Sequence, residues 1–430
     1  MPTGVKDFRT LVRGGYLFAD RTMLIGDILD EGIRNILFTR PRRFGKTLVI
    51  SMLDRFLNIR YREEESVDDT FQNLEVSRHP LYGGWMEDGT RNGYPVIWLD
   101  MSLPDQLGSP SFQVIMGCYL RHLIRQDFGY LRDSDILTDE RKDGLFSRHD
   151  DIVADVLFRD LCLALKVHHG RAPVVLVDGF DSSVDPYLTD DPSGYIIDYG
   201  RFLASALGGN DDISMTILTG ARNLTIGGLP VLPDAVHIDV TDSRFSRYFG
   251  ITPDEMRGFI GRCIAYRHPD IRDAERDGMT EERYRTASEW FRGYTIGGRW
   301  MLNPWCAMNF LKENVLLDNP VRPYWSDSAE YGVLVPFIFH ADPHTLGELT
   351  DAHLSGGAIA VEHIDRTAPI KMTEGVFPRD GLLSLLLYAG YLTSDHRDGQ
   401  HLLRIPNRDV GRSFDHVLFR HSSNNPSVPR

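Results

Sequence analysis

The chain has little cysteine: Cys118, Cys162, Cys263 and Cys306 are the only four in 430 residues. They are widely spaced among apolar, mostly helix-like neighbours. That excludes a disulfide framework or a paired-cysteine zinc site and predicts buried, reduced thiols. Long apolar runs are also missing. The longest, Val333–Phe339 and Leu382–Leu392, fall well short of the roughly 20 residues that cross a bilayer. The first residues contain no apolar signal core, so a cytoplasmic protein without a membrane role is expected. Positive charge is scarce too: 47 Lys and Arg against 61 Asp and Glu give a net charge of −14. Such a balance argues against indiscriminate binding to a nucleic-acid backbone. The fifteen histidines fall at no metal-ligand spacing, and His168-His169 reads as a polar helix end. No repeats or low-complexity tracts are evident, and 42% hydrophobic content suits a globular protein of two or three domains.

What is present concentrates in one stretch. Ile36-Leu-Phe-Thr-Arg-Pro-Arg-Arg-Phe-Gly-Lys-Thr47 reads as strand, turn and helix. Ile36, Leu37 and Phe38 suit a buried strand. After Thr47, apolar residues at Leu48/Val49, Met52/Leu53 and Phe56/Leu57 follow helical spacing. This is the layout of a phosphate-binding P-loop. The turn Arg40, Pro41, Arg42, Arg43, Phe44 and Gly45 wraps the phosphates with its backbone, and the helix N-terminus adds the positive end of its dipole. Lys46 reaches the β- and γ-phosphates and the Thr47 hydroxyl binds Mg²⁺. The general pattern asks for glycine where Arg40 stands, so an ordinary strand-to-helix turn stays open as an alternative.

A second stretch supplies a metal-side acid. Pro173-Val-Val-Leu-Val-Asp-Gly-Phe-Asp181 is a continuous apolar strand ending in a carboxylate, as central parallel strands do when helices cover both faces. Asp178 lies at its C-terminal end, the Walker B position that holds Mg²⁺. A third strand, Ile213-Ser-Met-Thr-Ile-Leu-Thr-Gly220, fits the next place in the sheet, with Thr219 and Arg222 as candidates for a polar sensor near the γ-phosphate.

These segments, with others in the same order, resemble the AAA-ATPase-like proteins of bacteria, which are often fused to a PD-(D/E)XK-type nuclease domain. The resemblance rests on Gly4-Val-Lys-Asp-Phe8, Phe18-Ala-Asp-Arg-Thr22, Thr39-Arg-Pro-Arg-Arg-Phe-Gly-Lys-Thr47 and Tyr94-Pro-Val-Ile-Trp-Leu-Asp100. It continues through Leu218-Thr-Gly220, Phe249-Gly-Ile-Thr-Pro-Asp-Glu255, Asn303-Pro-Trp305, Gly390-Tyr-Leu-Thr393 and Ile405-Pro-Asn407, reaching roughly residue 415. The family's own P-loop carries Thr-Arg-Pro-Arg-Arg-Phe-Gly-Lys, which accounts for Arg40. The resemblance implies a parallel α/β sheet flanked by helices, with ATP and Mg²⁺ as cofactors.

Two departures stand out. Similar proteins carry Asp-Glu-Tyr-Asp after the Walker B strand, whereas this chain has Asp178-Gly179-Phe180-Asp181. The missing glutamate is the residue that would orient and deprotonate the attacking water, a loss of about 10²–10⁴-fold in rate. Asp181, shorter and two positions on, is a weak substitute and reads rather as a turn former after the strand. The second departure is length: the sequence stops near residue 430, soon after Ile405-Pro-Asn407, which leaves little room for a nuclease domain, and no Asp…Glu-x-Lys arrangement lies near its end, so no nuclease is expected.

By organisation, residues 1–250 form the nucleotide domain, 251–345 a helical lid and 346–430 a winged-helix-like section. Charge-rich Glu63–Asp69 and Arg125–Asp151 read as solvated loops or helix edges. Helices are expected at Asp254–Ile264, Glu281–Phe291 and Asp380–Ala389, with Trp290, Tyr294, Trp300 and Trp305 in the core of the lid. Strands at Tyr391–Ser394 and His401–Ile405 flank a turn at His396–Gln400. Arg397, Arg404, Arg408 and Arg412 there are balanced by Asp395, Asp398 and Asp409, which favours docking to an unknown protein partner over DNA. The expected function is an ATP–Mg²⁺-binding, STAND-type P-loop protein, a slow ATPase or nucleotide-dependent switch. The alternative is a non-hydrolysing interaction or DNA-contacting protein. No Asn-Lys-x-Asp guanine motif follows, and the choice of adenine rests mainly on the resemblance.

Overall fold

Five strands, all parallel, form the centre of the computed structural model. They are β1 (Asn35–Thr39), β2 (Val96–Asp100), β3 (Val174–Asp178), β4 (Met215–Gly220) and β5 (Val236–Ile238), in the order β2-β3-β4-β1-β5. The structure describes residues 1–61, 70–102, 112–146, 153–182, 184, 194–223, 225–226, 229–230, 232, 234–328, 338–365 and 376–415. The Glu63–Asp69 segment, most of Val333–Phe339 and residues 147–151 of the Arg125–Asp151 segment lie outside them.

Side chains alternate across a strand, and each face of this sheet has its own helices. Ile36, Phe38, Leu176 and Ile217 pack with α1 (Phe8–Arg13), α2 (Met23–Glu31) and α3 (Lys46–Leu57). Leu37, Val175, Val177 and Leu218 pack with α4 (Phe112–Asp127), α5 (Ala154–His169) and α6 (Tyr195–Ala206). Coverage of both faces is why β3 is buried at every position and reads as an unbroken apolar run. The resulting α/β architecture, a parallel sheet flanked by helices, is the one the sequence leads us to expect. All strand C-termini meet one edge, where a ligand of an open parallel sheet binds.

Beyond residue 250 come α7 (Pro253–Arg267) and α8 (Asp273–Phe291), then β6 (Arg292–Ile296), β7 (Arg299–Leu302) and α9 (Pro304–Phe310). The lid is therefore not wholly helical: an antiparallel hairpin, turned at Gly297 and Gly298, interrupts it. Trp300 on that hairpin is 44% exposed rather than in the core, with the guanidinium of Arg292 4.4 Å from its ring. Tyr294 is buried as expected. After α10 (Pro343–Ser355) come β8 (Ile359–Val361), α11 (Arg379–Ala389), β9 (Thr393–Arg397) and β10 (Gln400–Arg404), forming an antiparallel sheet in the order β8-β10-β9. Strand β9 starts two residues later than the sequence suggests. Gly390 closes α11 in a left-handed conformation (φ 89°), and the N–H groups of Tyr391 and Leu392 both return to the Leu386 carbonyl. One hydrophobic core runs from Val240 to Phe414, shared by the lid and the C-terminal section.

Cys162, Cys263 and Cys306 are buried free thiols, but Cys118 is exposed. Its helix buries Phe112, Met116, Leu120 and Leu123, which leaves position 118 on the outer face. Among the described residues no helix is long and apolar enough to cross a membrane.

Candidate functional site

The turn after β1 reverses the chain through two left-handed residues, Arg43 (φ 67°) and Gly45 (φ 83°). Gly45 is the N-cap of α3, and a Cβ there would meet open space, so the glycine answers to backbone conformation, not crowding. Among the described residues, no group accepts from the N–H groups of Gly45, Lys46 and Thr47. Several donors converging at a helix N-terminus form an anion-binding concavity, so the donor set fits a phosphate. Lys46 is folded back over the turn, its Nζ donating to the carbonyl oxygens of Arg40 (2.9 Å) and Pro41 (3.0 Å). Burial pushes the Lys46 ammonium down to about 8; the carboxylates of Asp181 and Asp178 face it and offset part of the fall.

Asp178 ends β3 and Asp181 lies on the turn after it, separated from the P-loop strand by β4. Asp178 is buried and accepts from the Thr219 hydroxyl (2.9 Å). Asp181 has both oxygens engaged: Oδ1 accepts from the Ala221 N–H (2.9 Å) and Oδ2 from the Arg222 N–H (3.0 Å). The Arg222 guanidinium stands 3.4 Å from Oδ2, both side chains being almost wholly buried. Asp181 thus pins the end of β4 to the end of β3. Between the two acids Gly179 has φ +64°, and a Cβ there would meet Ser182 Oγ at 2.8 Å. A larger residue at this position therefore carries a left-handed penalty of about 1–2 kcal/mol.

The structure gathers Lys46, Thr47, Asp178, Asp181, Thr219 and Arg222 around the ends of β1, β3 and β4. It does not bring the Arg40 side chain there. Arg40 is fully buried and turns away, donating to the Thr39 and Ile238 carbonyls (2.9 and 2.8 Å). Its guanidinium lies 4.7 Å from the Phe249 ring. Burial lowers its pKa to about 10, with Asp239 and Asp242 supporting the charge. An arginine fits where the general pattern has glycine because its side chain leaves the phosphate side altogether.

The other residues of the turn face the lid and the C-terminal section. The Phe44 ring meets Tyr294 edge-on at 5.0 Å, and the Arg43 guanidinium lies 4.6 Å from the Trp305 ring. The Asn303 amide reaches the Arg42 carbonyl (3.4 Å) while its oxygen caps α9. Gly390 presses against Pro41 so closely that a Cβ there would stand 2.8 Å from Pro41 Cβ. Tyr294 holds Gly390 in place by donating to its carbonyl (2.8 Å).

Sequence reasoning missed a latch beside this turn. Arg21 donates twice to Glu255 (2.6 and 2.7 Å) and once to the Gly250 carbonyl (2.9 Å), tying the N-terminal segment to the start of α7. Burial raises the pKa of the Glu255 carboxyl, but the hydrogen bonds and charge of Arg21 hold it below its ordinary value. Thr252 and Glu255 also form a reciprocal capping box on α7, a pattern legible as Thr-x-x-Glu; the partnership with Arg21 had no local signal. A cavity of ≈ 300 Å³ opens between Val5, Phe18, Lys46, Thr47, Tyr248 and Trp305. Among the described residues no group of three or more His, Cys, Asp or Glu is placed to hold a metal ion.

No curated protein matches the chain. Among solved structures it is similar to the ORC2 protein of Aeropyrum pernix, determined as ADPNP–ADP complexes, at 13% identity and a TM-score of 0.35, over 95% of this chain and 93% of that one. The sequence model of the Predicted AAA-ATPase family, AAA-ATPase-like, matches residues 2–229, more than half of the chain, and the protein belongs to that family.

Proposed function

We propose that the protein binds ATP with Mg²⁺ at the ends of β1 and β3 and works as a nucleotide-dependent switch with slow turnover. The observation that carries this is the clamp on the P-loop: Pro41, Arg42, Arg43 and Phe44 are each held by a residue of the lid or the C-terminal section. A phosphate entering the turn draws Lys46 off the Arg40 and Pro41 carbonyls, and Pro41 bears directly on Gly390. Lys46 and the N–H groups of Gly45, Lys46 and Thr47 hold the phosphates, the Thr47 hydroxyl and Asp178 face the metal, and Thr219 fixes the Asp178 carboxylate. The cation supplies charge neutralisation on the phosphates when bound.

Slow turnover follows from the turn after β3. Gly179 offers no carboxylate, and Asp181 spends both oxygens on Ala221 and Arg222, so neither residue is placed to take a proton from water. The order helix, strand, helix, hairpin in the last section, with strand order β8-β10-β9, supports its winged-helix-like character. Residues 1–250, 251–345 and 346–430 then act as nucleotide domain, lid and docking section. Isothermal titration with ATP, ADP and GTP, with and without Mg²⁺, tests the assignment. Mg²⁺-dependent ATP binding with little steady-state hydrolysis is the expected result; brisk hydrolysis removes the switch.

A further inference from the structure

The two edges of the sheet are finished differently. Strand β5 is three residues long, and the ring of its His237 is tied to Thr39 (2.7 Å). Short edges of this kind resist pairing with other chains. Strand β2 runs five residues, Val-Ile-Trp-Leu-Asp, with neither proline nor lysine within it. Its hydrogen-bonding parity is fixed by two bonds to the β3 side: the Pro95 carbonyl accepts from Val174 and the Met101 N–H donates to Asp178, each at 2.9 Å. Backbone groups alternate along a strand, so those of Val96, Trp98 and Asp100 point outward. The Asp100 N–H confirms the direction by donating to the Tyr119 hydroxyl (2.9 Å). Among the described residues, nothing accepts from the outward N–H groups of Val96 and Trp98.

That edge is the floor of a slot of ≈ 880 Å³, walled by the end of α3 on one side and by the α4–α5 end on the other. The Trp98 indole Nε1, in the lining of the slot, is buried without a hydrogen-bond partner among the described residues. Among the described residues, three carboxylates line the slot, Asp54, Asp100 and Asp127, against one arginine, Arg60. Arg60 lies 3.1 Å from Asp54 and 3.8 Å from Asp127, which leaves an excess of negative charge. His169 does not offset it: burial and the presence of His168 push its pKa down to about 4, so it is neutral at physiological pH.

We propose that the outer edge of β2 receives an extended peptide segment bearing lysine or arginine, which pairs with Val96 and Trp98 as an additional strand of the sheet. Main-chain bonds to the two outward N–H and C=O pairs provide the binding, and the acidic walls select basic side chains, the division of labour of strand addition. The site lies apart from the P-loop and does not depend on nucleotide binding.

The test uses the full chain and a labelled short peptide alternating lysine and valine, followed by fluorescence anisotropy at physiological salt. Saturable binding is expected. It should be lost when the same peptide is N-methylated at alternate residues along one edge, and when glutamate replaces lysine. Asp127→Lys, an exposed substitution, should weaken binding about fivefold, the scale of one partly exposed ion pair. Equal binding of the N-methylated peptide would show mere charge adhesion and overturn the proposal. So would equal binding of the glutamate peptide, or no binding by the wild type. Binding seen only after residues 62–69 are replaced by a Gly-Ser segment would also overturn it, since the chain would then cap its own edge.

Discussion

The turn after β1 and the turn after β3 lie at the same edge of one sheet, yet their polar groups are disposed in opposite ways. In the first, donors at the start of α3 have no acceptor among the described residues and Lys46 rests on the carbonyls of its own turn. In the second, Asp178 and Asp181 are already bonded, to Thr219 and to Ala221 and Arg222. In the proposed reading, the first is the place where an incoming anion would replace internal contacts. The second is prepared in advance and holds its geometry without a ligand. A site that pairs an adaptable turn with a fixed one can bind firmly and report binding through the adaptable half. That half is the one touched by Tyr294, Asn303, Trp305 and Gly390.

The largest effect is expected at the fixed turn. Asp181→Ala removes the acceptor of the Ala221 and Arg222 backbone N–H groups and a carboxylate 3.4 Å from the Arg222 guanidinium. The expected loss is about 3–5 kcal/mol of stability, from hydrogen bonds to a charged group worth about 1.5–3 kcal/mol each, read by chemical denaturation. A cost below about 1 kcal/mol would show that the turn after β3 is not held by Asp181. Next comes the latch: Arg21→Ala removes hydrogen bonds to a charged group worth about 1.5–3 kcal/mol each where fully effective. Hydrogen exchange at the start of α7 should rise while β3 stays protected. Unchanged exchange there would place the lid's attachment elsewhere.

Gly390→Ala sharpens the adaptable side from a distance. A left-handed alanine costs about 1–2 kcal/mol, and its Cβ meets Pro41. Nucleotide affinity should fall although residue 390 touches no ligand, and Gly390→Ala with unchanged affinity would separate the C-terminal section from the P-loop. The smallest effect is in pH. Lys46 has a folded pKa of about 8, below its ordinary 10.5. The unfolded chain therefore holds this proton more tightly between those values. The penalty is fully present below about 8 and fades as pH rises toward 10.5, so this residue makes stability climb with pH. Subtracting the profile of Lys46→Met isolates the climb from cysteine and tyrosine titration, and bound ATP should flatten it.

Much of this site was legible because its chemistry is local. Lys46 and Thr47 open the helix that follows the turn after β1, and Asp178 ends an apolar run; covalent order places each beside the C-terminal edge of the sheet. The sheet followed for the same reason, since burial on both faces marks β3 as central. What was not legible depends on residues far apart in the chain. Arg40 gave no sign that its side chain leaves the phosphate side for Phe249 and Ile238. Asp181 looks like a turn former and is one, but its hold on Ala221 and Arg222 comes from a neighbouring strand. The hairpin inside the lid was hidden because Trp290, Tyr294, Trp300 and Trp305 read equally well as one helical core. Cys118 differs only in the side of α4 it occupies.

The most direct measurement is isothermal titration of ATP–Mg²⁺ into the wild type and Lys46→Ala. Lys46 sits between both turns, bonded to one and facing the acids of the other. Its removal should weaken ATP by at least about tenfold, from charge-assisted contacts of about 1.5–3 kcal/mol each, with the sheet intact by circular dichroism. Equal affinity in the two proteins would contradict the assignment of the turn after β1 as the phosphate site.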